Sequence, residues 1–432
     1  MNQFRLLGQR RFAPFFTTQA LAAFNDNAFR YAMVGMATFE LALDSHALNG
    51  YVNLALALFI TPFFLLSASA GQLADKFEKA RLIRWIKLVE IAAMLIAAWA
   101  FHTRDLDVLL GVLCLMGVHS TLFGPIKYAI VPQVLTDREL TGGNGLVESS
   151  TSLSILLGSL AGNALMAVPG VGPTLVSVLV VGVALAGLAA SLAMPPAPPP
   201  APTLRLDLNP IRQTWRVLGQ VRRERTVLHA VIGISWFWFF GATLTTQAPA
   251  YARDWLGGDA GVLNLVLILF SVGVGVGSLC CEKLSAGRVQ PGLVPLGALG
   301  MSLAGLGLYV AHPHAAPVTG IDWTTFLLTP GGGWVAACLV LVGAFAGLYI
   351  VPLFALVQQR SDARRLSRVI AGNNILNALF MVLAAALGML APSLGLNVAG
   401  LITLVAALNL LVMAWLCLRV PEFWTAFVGW VR

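Results

Sequence analysis

Apolar runs of about twenty residues, separated by short polar stretches, recur along the whole chain. Runs such as "LVSVLVVGVALAGLAASLAM" and "LITLVAALNLLVMAWLCL" are long enough to cross roughly 30 Å of hydrocarbon as single helices. The pattern predicts twelve of them. They fall at 14–42, 48–70, 82–103, 106–133, 144–168 and 171–194, then at 226–252, 260–282, 291–311, 332–358, 369–392 and 395–420. Six lie on each side of one polar linker. The expected fold is therefore an all-α polytopic membrane protein with twelve transmembrane helices in two six-helix bundles. The bundles would span 1–194 and 226–432, joined by a linker at 195–225.

Composition agrees with that class. Charged residues make up only 11% of the chain and hydrophobic residues 58%. A soluble domain carries about 25% charged residues, so polar surface is too scarce here to cover a water-facing globule. The net charge of +8 becomes informative once its positions are mapped. Arg5, Arg10 and Arg11 precede the first span, and Lys76, Lys79, Arg81 and Arg84 follow the second. Arg138 follows the fourth, six arginines from Arg205 to Arg225 fill the linker, and Arg360, Arg364, Arg365 and Arg368 follow the tenth. The odd-numbered connections hold little beyond Arg104 and Arg253. The positive-inside rule then places both termini in the cytoplasm. The basic excess is a topology signal and implies no nucleic-acid partner. Six helices, a central cytoplasmic loop and six more is the plan of the major facilitator fold, built from two parallel halves.

The linker has two parts. "PPAPPPAP" is a stiff, extended spacer. "NPIRQTWRVLGQVRRER" then offers Ile211, Trp215, Leu218 and Val221 at helical spacing among arginines. That suits a helix in the cytoplasmic headgroup layer; the other reading is a disordered basic loop. Faint repeats relate the halves. "GQLADKFEKARL" follows the second span as "GSLCCEKLSAGR" follows the eighth, and "GGNGLVE" opens the fifth as "AGNNILN" opens the eleventh.

Polar residues inside the spans are the candidate chemistry, because an ionisable group at the bilayer centre costs about 2.5–3.5 kcal/mol on insertion scales. Asp26 and Arg30 are four apart in the first span, a spacing that lets them pair directly, and Asn25 and Asn27 flank them. Lys127 lies inside the fourth span beside Tyr128. In the fifth, Asn144, Glu148, Thr151 and Ser152 form a polar stripe; Asn373, Asn374 and Asn377 form another in the eleventh. Several polar faces in one apolar chain predict a hydrated central cavity lined by Asp26 and Lys127. Gly124–Pro125, Pro132, Gly273 and Gly277 mark close helix packing and candidate hinges.

Outside the spans, "GQLADKFEKARL" resembles the loop motif that latches the halves of major facilitators. Gly71, Asp75, Lys76 and Arg81 match it, while Glu78 and Lys79 depart from the usual glycine and arginine. The five cysteines lack metal-ligand or disulfide spacing. No phosphate-binding glycine loop is present, and the His102/Asp107 pair falls in a short turn with no room for a substrate. No enzyme activity, metal or cofactor is expected. The first apolar run carries Asp26 and follows a basic segment, so it is expected to be a span and not a cleaved signal.

Four stretches, "AFNDNAFR", "LFGPIKYAIVPQVL", "GNGLVESSTSLSILLGSLAG" and "RVIAGNNILNALFMV", together resemble the lysophospholipid transporter family of the major facilitator superfamily. The resemblance covers essentially the whole chain. It implies movement of lysophosphatidylethanolamine, and of lysophosphatidylglycerol, from the outer to the inner leaflet of a bacterial inner membrane, by a monomer. Some members are fused to an acyltransferase and an acyl-carrier-protein ligase. This chain ends at Arg432, soon after its last span, so re-acylation is expected of a separate cytoplasmic acyltransferase.

Carried onto these residues, the resemblance makes Asn25, Asp26 and Asn27 the first-span polar cluster, Lys127 the fourth-span cation and Glu148 the fifth-span acid. Asn373, Asn374 and Asn377 complete the site. The chemistry agrees: Lys127 or Arg30 suits a phosphate, and Asp26 or Glu148 suits an ammonium. The acyl chain would rest among the aromatics of "SWFWFFG" or stay in lipid. Two other readings use the same residues. One is a proton-coupled exporter of amphipathic drugs; the other is a non-transporting scaffold with a dry, fully paired polar stripe.

Overall fold

The computed structural model describes residues 2–41, 44–207, 209–310 and 320–431. The span ends expected at 42 and 311 lie outside these. In chain order the helices are α1 (Ala13–Gly35), α2 (Ser45–Lys76), α3 (Lys79–Thr103), α4 (Leu106–Val134), α5 (Leu140–Met166) and α6 (Gly172–Leu192). The linker carries α7 (Pro210–Val221). Then come α8 (Arg225–Ala250), α9 (Ala260–Ser285), α10 (Leu293–Val310), the short α11 (Trp323–Leu328), α12 (Gly332–Arg360), α13 (Leu366–Leu390), α14 (Val398–Arg419) and α15 (Pro421–Val431). All twelve expected spans are helical.

Among the described residues, nine helices are long and apolar enough to cross a membrane by length and composition alone. The other three long helices, α1, α3 and α5, fail that test because polar and charged residues interrupt them. Asp26, Lys87, Glu90 and Glu148, described below, lie on these three helices.

The packing is duplicated. In the first bundle α1 packs on α5 and α6, α2 on α4, and α3 on α4 and α6. In the second, α8 packs on α13 and α14, α9 on α12, and α10 on α12 and α14. The bundles then meet crosswise, α5 against α9 and α2 against α13. Even the helix ends correspond, since α1 and α8 each finish in one widened turn, Met36–Glu40 and Tyr251–Trp255.

The linker is ordered along the first bundle. Glu78 caps α3 by accepting from the amides of Ala80 (2.8 Å) and Arg81 (2.7 Å), and its carboxylate also accepts from the amide of Ala197 (2.7 Å). The Ala201 amide donates to the Asp75 carbonyl, and Gln72 exchanges two hydrogen bonds with the backbone of Asp207. The departure from the latch motif at Glu78 therefore has a use: it fastens the Pro-rich segment. α7 is a helix, but its apolar residues divide. Val221, with Val217, is buried against α2 and α13, whereas Ile211 and Trp215 are exposed. α15 was not foreseen. Its eleven residues are too few to span, and its signal is only local amphipathicity, with Phe423 buried and Trp424 exposed.

The tightest helix pair is α9 with α12. A Cβ on Gly273 would overlap the Val340 carbonyl, one on Gly277 the Ala344 carbonyl, and one on Gly343 the Phe270 carbonyl. Without a water-driven hydrophobic effect between helices, such close backbone approach supplies the dispersion contact. Gly277→Leu is expected to destabilise the protein by about 1–3 kcal/mol, read as a lower thermal unfolding midpoint in detergent. Gly182→Ala on α6, where a Cβ meets nothing within 4 Å, should leave the midpoint unchanged.

Candidate functional site

The first bundle encloses an ionic network built by α1, α3 and α4. Lys87 Nζ donates to Glu90 Oε2 at 2.6 Å, and both side chains are fully buried. Their i,i+3 spacing puts them on one face of α3. Asn25 Nδ2 donates to Glu90 Oε1 at 2.8 Å, and His119 Nε2 lies 3.0 Å from Glu90 Oε2. On the other side of the imidazole, His119 Nδ1 is 3.9 Å from Asp26 Oδ1, while Ser120 Oγ donates to Asp26 Oδ2 at 2.6 Å. Asp26 is the member nearest the surface, with its side chain 17% exposed. Its Oδ1 makes no hydrogen bond.

A second cluster joins α4, α5 and α1. Lys127 Nζ donates to Thr151 Oγ1 at 2.7 Å and sits over the Tyr128 ring at 5.2 Å from its centroid. Tyr128 Oη donates to Glu148 Oε1 at 2.7 Å. Gln19 completes the cluster, donating to Ser150 (2.6 Å) and accepting from Thr151 (3.2 Å). Lys127 is within electrostatic reach of both Glu148 and Asp26, so the two clusters share one field.

The second bundle contributes asparagines. The Asn377 amide, oriented to satisfy its neighbours, donates to Ser235 Oγ (2.9 Å) and the Asn373 carbonyl (3.1 Å). It accepts from Asn373 Nδ2 (3.1 Å) and Trp238 Nε1 (3.2 Å). These two asparagines tie α13 to α8. Asn374 instead faces the first bundle, its amide against Gly124 of α4. Of the α8 aromatics, Trp236 and Phe240 are buried, with Trp236 Nε1 donating to Asn409 at 2.8 Å. Phe237 and Trp238 remain half-buried.

Hydrogen bonds between the bundles lie, among the described residues, at the end that carries the linker. Buried Asp75 accepts from the Ser367 amide (3.1 Å) and Arg368 Nε (2.8 Å), so it caps the start of α13 and pairs with its first turn. Gly71 permits the approach, because a Cβ there would press on Ala371 and Arg368. The duplicate contact joins Glu282 at the end of α9 to the Gly142 amide at the start of α5. Asn144 exchanges hydrogen bonds with Gln358 (2.6 and 3.1 Å), Gln358 Nε2 donates to the Tyr128 carbonyl (3.0 Å), and the Tyr128 ring stacks on Phe354 at 4.0 Å. Lys76 lies over Phe77, and Arg81 is an exposed first-turn residue of α3. Neither reaches the second bundle.

Three expectations need adjustment. Asp26 and Arg30 do not pair: Arg30 donates to Asn27 Oδ1 (2.8 Å) and lies over Tyr31 and Phe59, while Asp26 turns toward α4. Helical spacing allowed the pair, but a hydroxyl and an imidazole on the next helix compete for the carboxylate. The hydrated cavity expected around Asp26 and Lys127 is not what the burial describes, since Lys127 is buried and the Asp26 side chain is only 17% exposed. A small apolar cavity of about 20 Å³ lies elsewhere, among Leu244, Tyr251, Phe270 and Leu339 of the second bundle. Lys87, Glu90, His119, Gln19 and Gln358 were not singled out from sequence. Lys87 and Glu90 carried a readable signal, an i,i+3 ion pair more than a turn inside a span.

The sequence pattern of the Major Facilitator Superfamily matches residues 15–329, and the chain belongs to that superfamily. It is 28% identical over 393 residues to "Lysophospholipid transporter LplT" of Enterobacter sp. (strain 638), covering 89% of each chain. It is 28% identical over 418 residues to the protein of the same name from Cronobacter sakazakii, covering 93% of each. The human organic anion transporter MFSD10 has a similar fold, with a TM-score of 0.74 at 13% identity over 94% of this chain and 99% of that one. So does the E. coli transporter FucP in its outward conformation, at a TM-score of 0.70 and 14% identity over 95% and 99%.

Breaking a buried ion pair from one side strands the other charge, at a cost of about 3–5 kcal/mol. Lys87→Met is therefore expected to lower the unfolding midpoint in detergent far more than Lys76→Met, whose side chain is only half-buried. Restoration of stability in Lys87→Met/Glu90→Gln, relative to Lys87→Met alone, would identify the stranded carboxylate as the cause.

Proposed function

We propose that this chain moves lysophospholipids, chiefly lysophosphatidylethanolamine, from the outer to the inner leaflet of a bacterial inner membrane by alternating access. The observation that carries this reading is the opposition of Asp26 and Lys127. One acid and one base, on adjacent helices deep in an apolar bundle, retain capacity for a ligand. Asp26 Oδ1 has no hydrogen-bond partner, and a lysine ammonium has three protons to donate where Lys127 has one acceptor, Thr151. Such a pair can replace the water shed by an ammonium and a phosphate. The names of the relatives point to the same substrate class.

In this reading the bundles are 1–194 and 226–432, and the linker and both termini face the cytoplasm. The bonds at the linker end then describe an outward-facing carrier with its cytoplasmic side shut. Asp75 with Gly71 forms the latch; Lys76 and Arg81 serve the membrane surface beside it. Asn25, Asn27, Arg30, Tyr128, Asn144 and Glu148 join the charged pair in binding substrate, with Asn373, Asn374 and Asn377 on the second bundle. The carrier acts as a monomer and supplies a separate acyltransferase. One observation favours a second reading: the imidazole of His119 lies between the carboxylates of Asp26 and Glu90, an acid–base chain of the kind that a proton-coupled exporter of amphipathic drugs requires.

Uptake of labelled lysophosphatidylethanolamine into spheroplasts tests the proposal. Asp26→Ala and Lys127→Ala should each reduce uptake about ten- to a hundredfold, the worth of one charge-assisted hydrogen bond, at normal membrane levels. Full uptake by both variants would refute the site. Drug resistance without lysolipid uptake in the unaltered protein would favour the exporter.

A further inference from the structure

α7 presents two rows of exposed side chains. Ile211 and Trp215 form an apolar row, 72% and 71% exposed, in the largest outward-facing group on the linker. Arg212 and Arg216 form a basic row beside it, 58% and 56% exposed. Each row has i,i+4 spacing, so each is a continuous ridge on one side of the helix. The opposite side is fixed: Val217 and Val221 are buried, and Val217 packs with Ala68 of α2 and Ala371 and Ile375 of α13. α7 therefore lies along the seam between the bundles with an apolar ridge and a basic ridge turned away from the protein.

Both arginines are held by one acid. Arg212 and Arg216 each donate to Asp207 at 2.7 Å, one to each carboxylate oxygen. Arg212 beside it keeps the Asp207 carboxyl well below the usual range, so it stays ionised. The backbone of Asp207 is in turn bonded to Gln72 on α2. Exposed ion pairs of this kind are weak and exchangeable. A phosphate oxygen offers the same arginines an equivalent charged acceptor.

We propose that α7 is a receptor for the headgroups of anionic membrane phospholipids, in which lipid phosphates replace Asp207 on Arg212 and Arg216 while Ile211 and Trp215 enter the acyl boundary. The charge complementarity is local and dense, since Arg222, Arg223 and Arg225 follow directly on the chain. Clustered basic residues on an amphipathic helix at a membrane surface are drawn to anionic lipid. The exchange releases the two arginines from Asp207, which keeps its bonds from the Asn209 amide and Gln213, and loosens the tie between α7 and Gln72. Bulk lipid composition would then bear on how firmly the linker holds the closed seam. None of this depends on which substrate is carried.

Hydrogen exchange of the full-length protein in nanodiscs tests it without a transport assay. Peptides covering 209–221 should exchange severalfold more slowly in a mixture of phosphatidylglycerol and phosphatidylcholine than in phosphatidylcholine alone. Arg212→Gln/Arg216→Gln should lose that difference. Asp207→Asn, which removes the competing charge, should enlarge it. Inorganic phosphate added to the phosphatidylcholine discs should produce no slowing, because it brings nothing for Ile211 and Trp215. Equal exchange in the two lipids, an undiminished response in the double variant, a response in Asp207→Asn no larger than in the unaltered protein, or slowing by phosphate alone would each overturn the proposal.

Discussion

A charged side chain cannot face hydrocarbon cheaply, and this constraint organises the first bundle. Lys87 and Glu90 neutralise each other on α3, yet their remaining hydrogen-bonding capacity must still be met inside the protein. Asn25 of α1 and His119 of α4 meet it, so three helices are drawn to one point. Asp26 follows from that arrangement, because its neighbour Asn25 is committed inward and its own carboxylate is steered to Ser120 and His119. The three long helices least suited to lipid by composition, α1, α3 and α5, bury their polar groups against neighbouring side chains: Lys87 on Glu90, Asp26 on Ser120, Arg30 on Asn27 and Glu148 on Tyr128.

The join between the bundles obeys a different rule. Here helix ends are plugged by acids from the opposite half, Asp75 on the start of α13 and Glu282 on the start of α5. Helix starts carry unsatisfied amides and a positive partial charge, and two acids at corresponding positions exploit them. The stacked rings of Tyr128 and Phe354 and the Asn144–Gln358 pair lie between these plugs. Tyr128 thus belongs to both systems, with its hydroxyl on Glu148 and its ring and carbonyl on α12. Movement of one bundle against the other must pass through a residue that also touches the ionic cluster.

The fold was legible in the sequence because a membrane span needs only length and apolarity, and those survive without any knowledge of neighbours. Asp75 was legible as part of the loop motif that latches the halves of major facilitators. Side-chain partners were less so. The i,i+4 spacing of Asp26 and Arg30 states what a lone helix permits, but α4 supplied better partners for Asp26. His119 has no local signal at all, since its meaning comes from Glu90 on α3. The apolar residues of α7 looked like one face because spacing does not reveal that two opposed surfaces, protein and exterior, each need apolar contact. The burial of Lys127 likewise depends on how the helices pack, which no local pattern encodes.

The anchoring of the Pro-rich segment has a mechanical consequence. Ala197, Ala201 and Asp207 are all fastened to α2 or to the cap of α3, so this stretch travels with the first bundle as cargo and contributes no slack. At its far end α7 runs into α8 through only three residues, 222–224. α7 itself packs on both α2 and α13, so the covalent join between the halves is short and held. The Pro-rich stretch thus stows chain against the first bundle, and the two halves are coupled through a taut join with no loose tether.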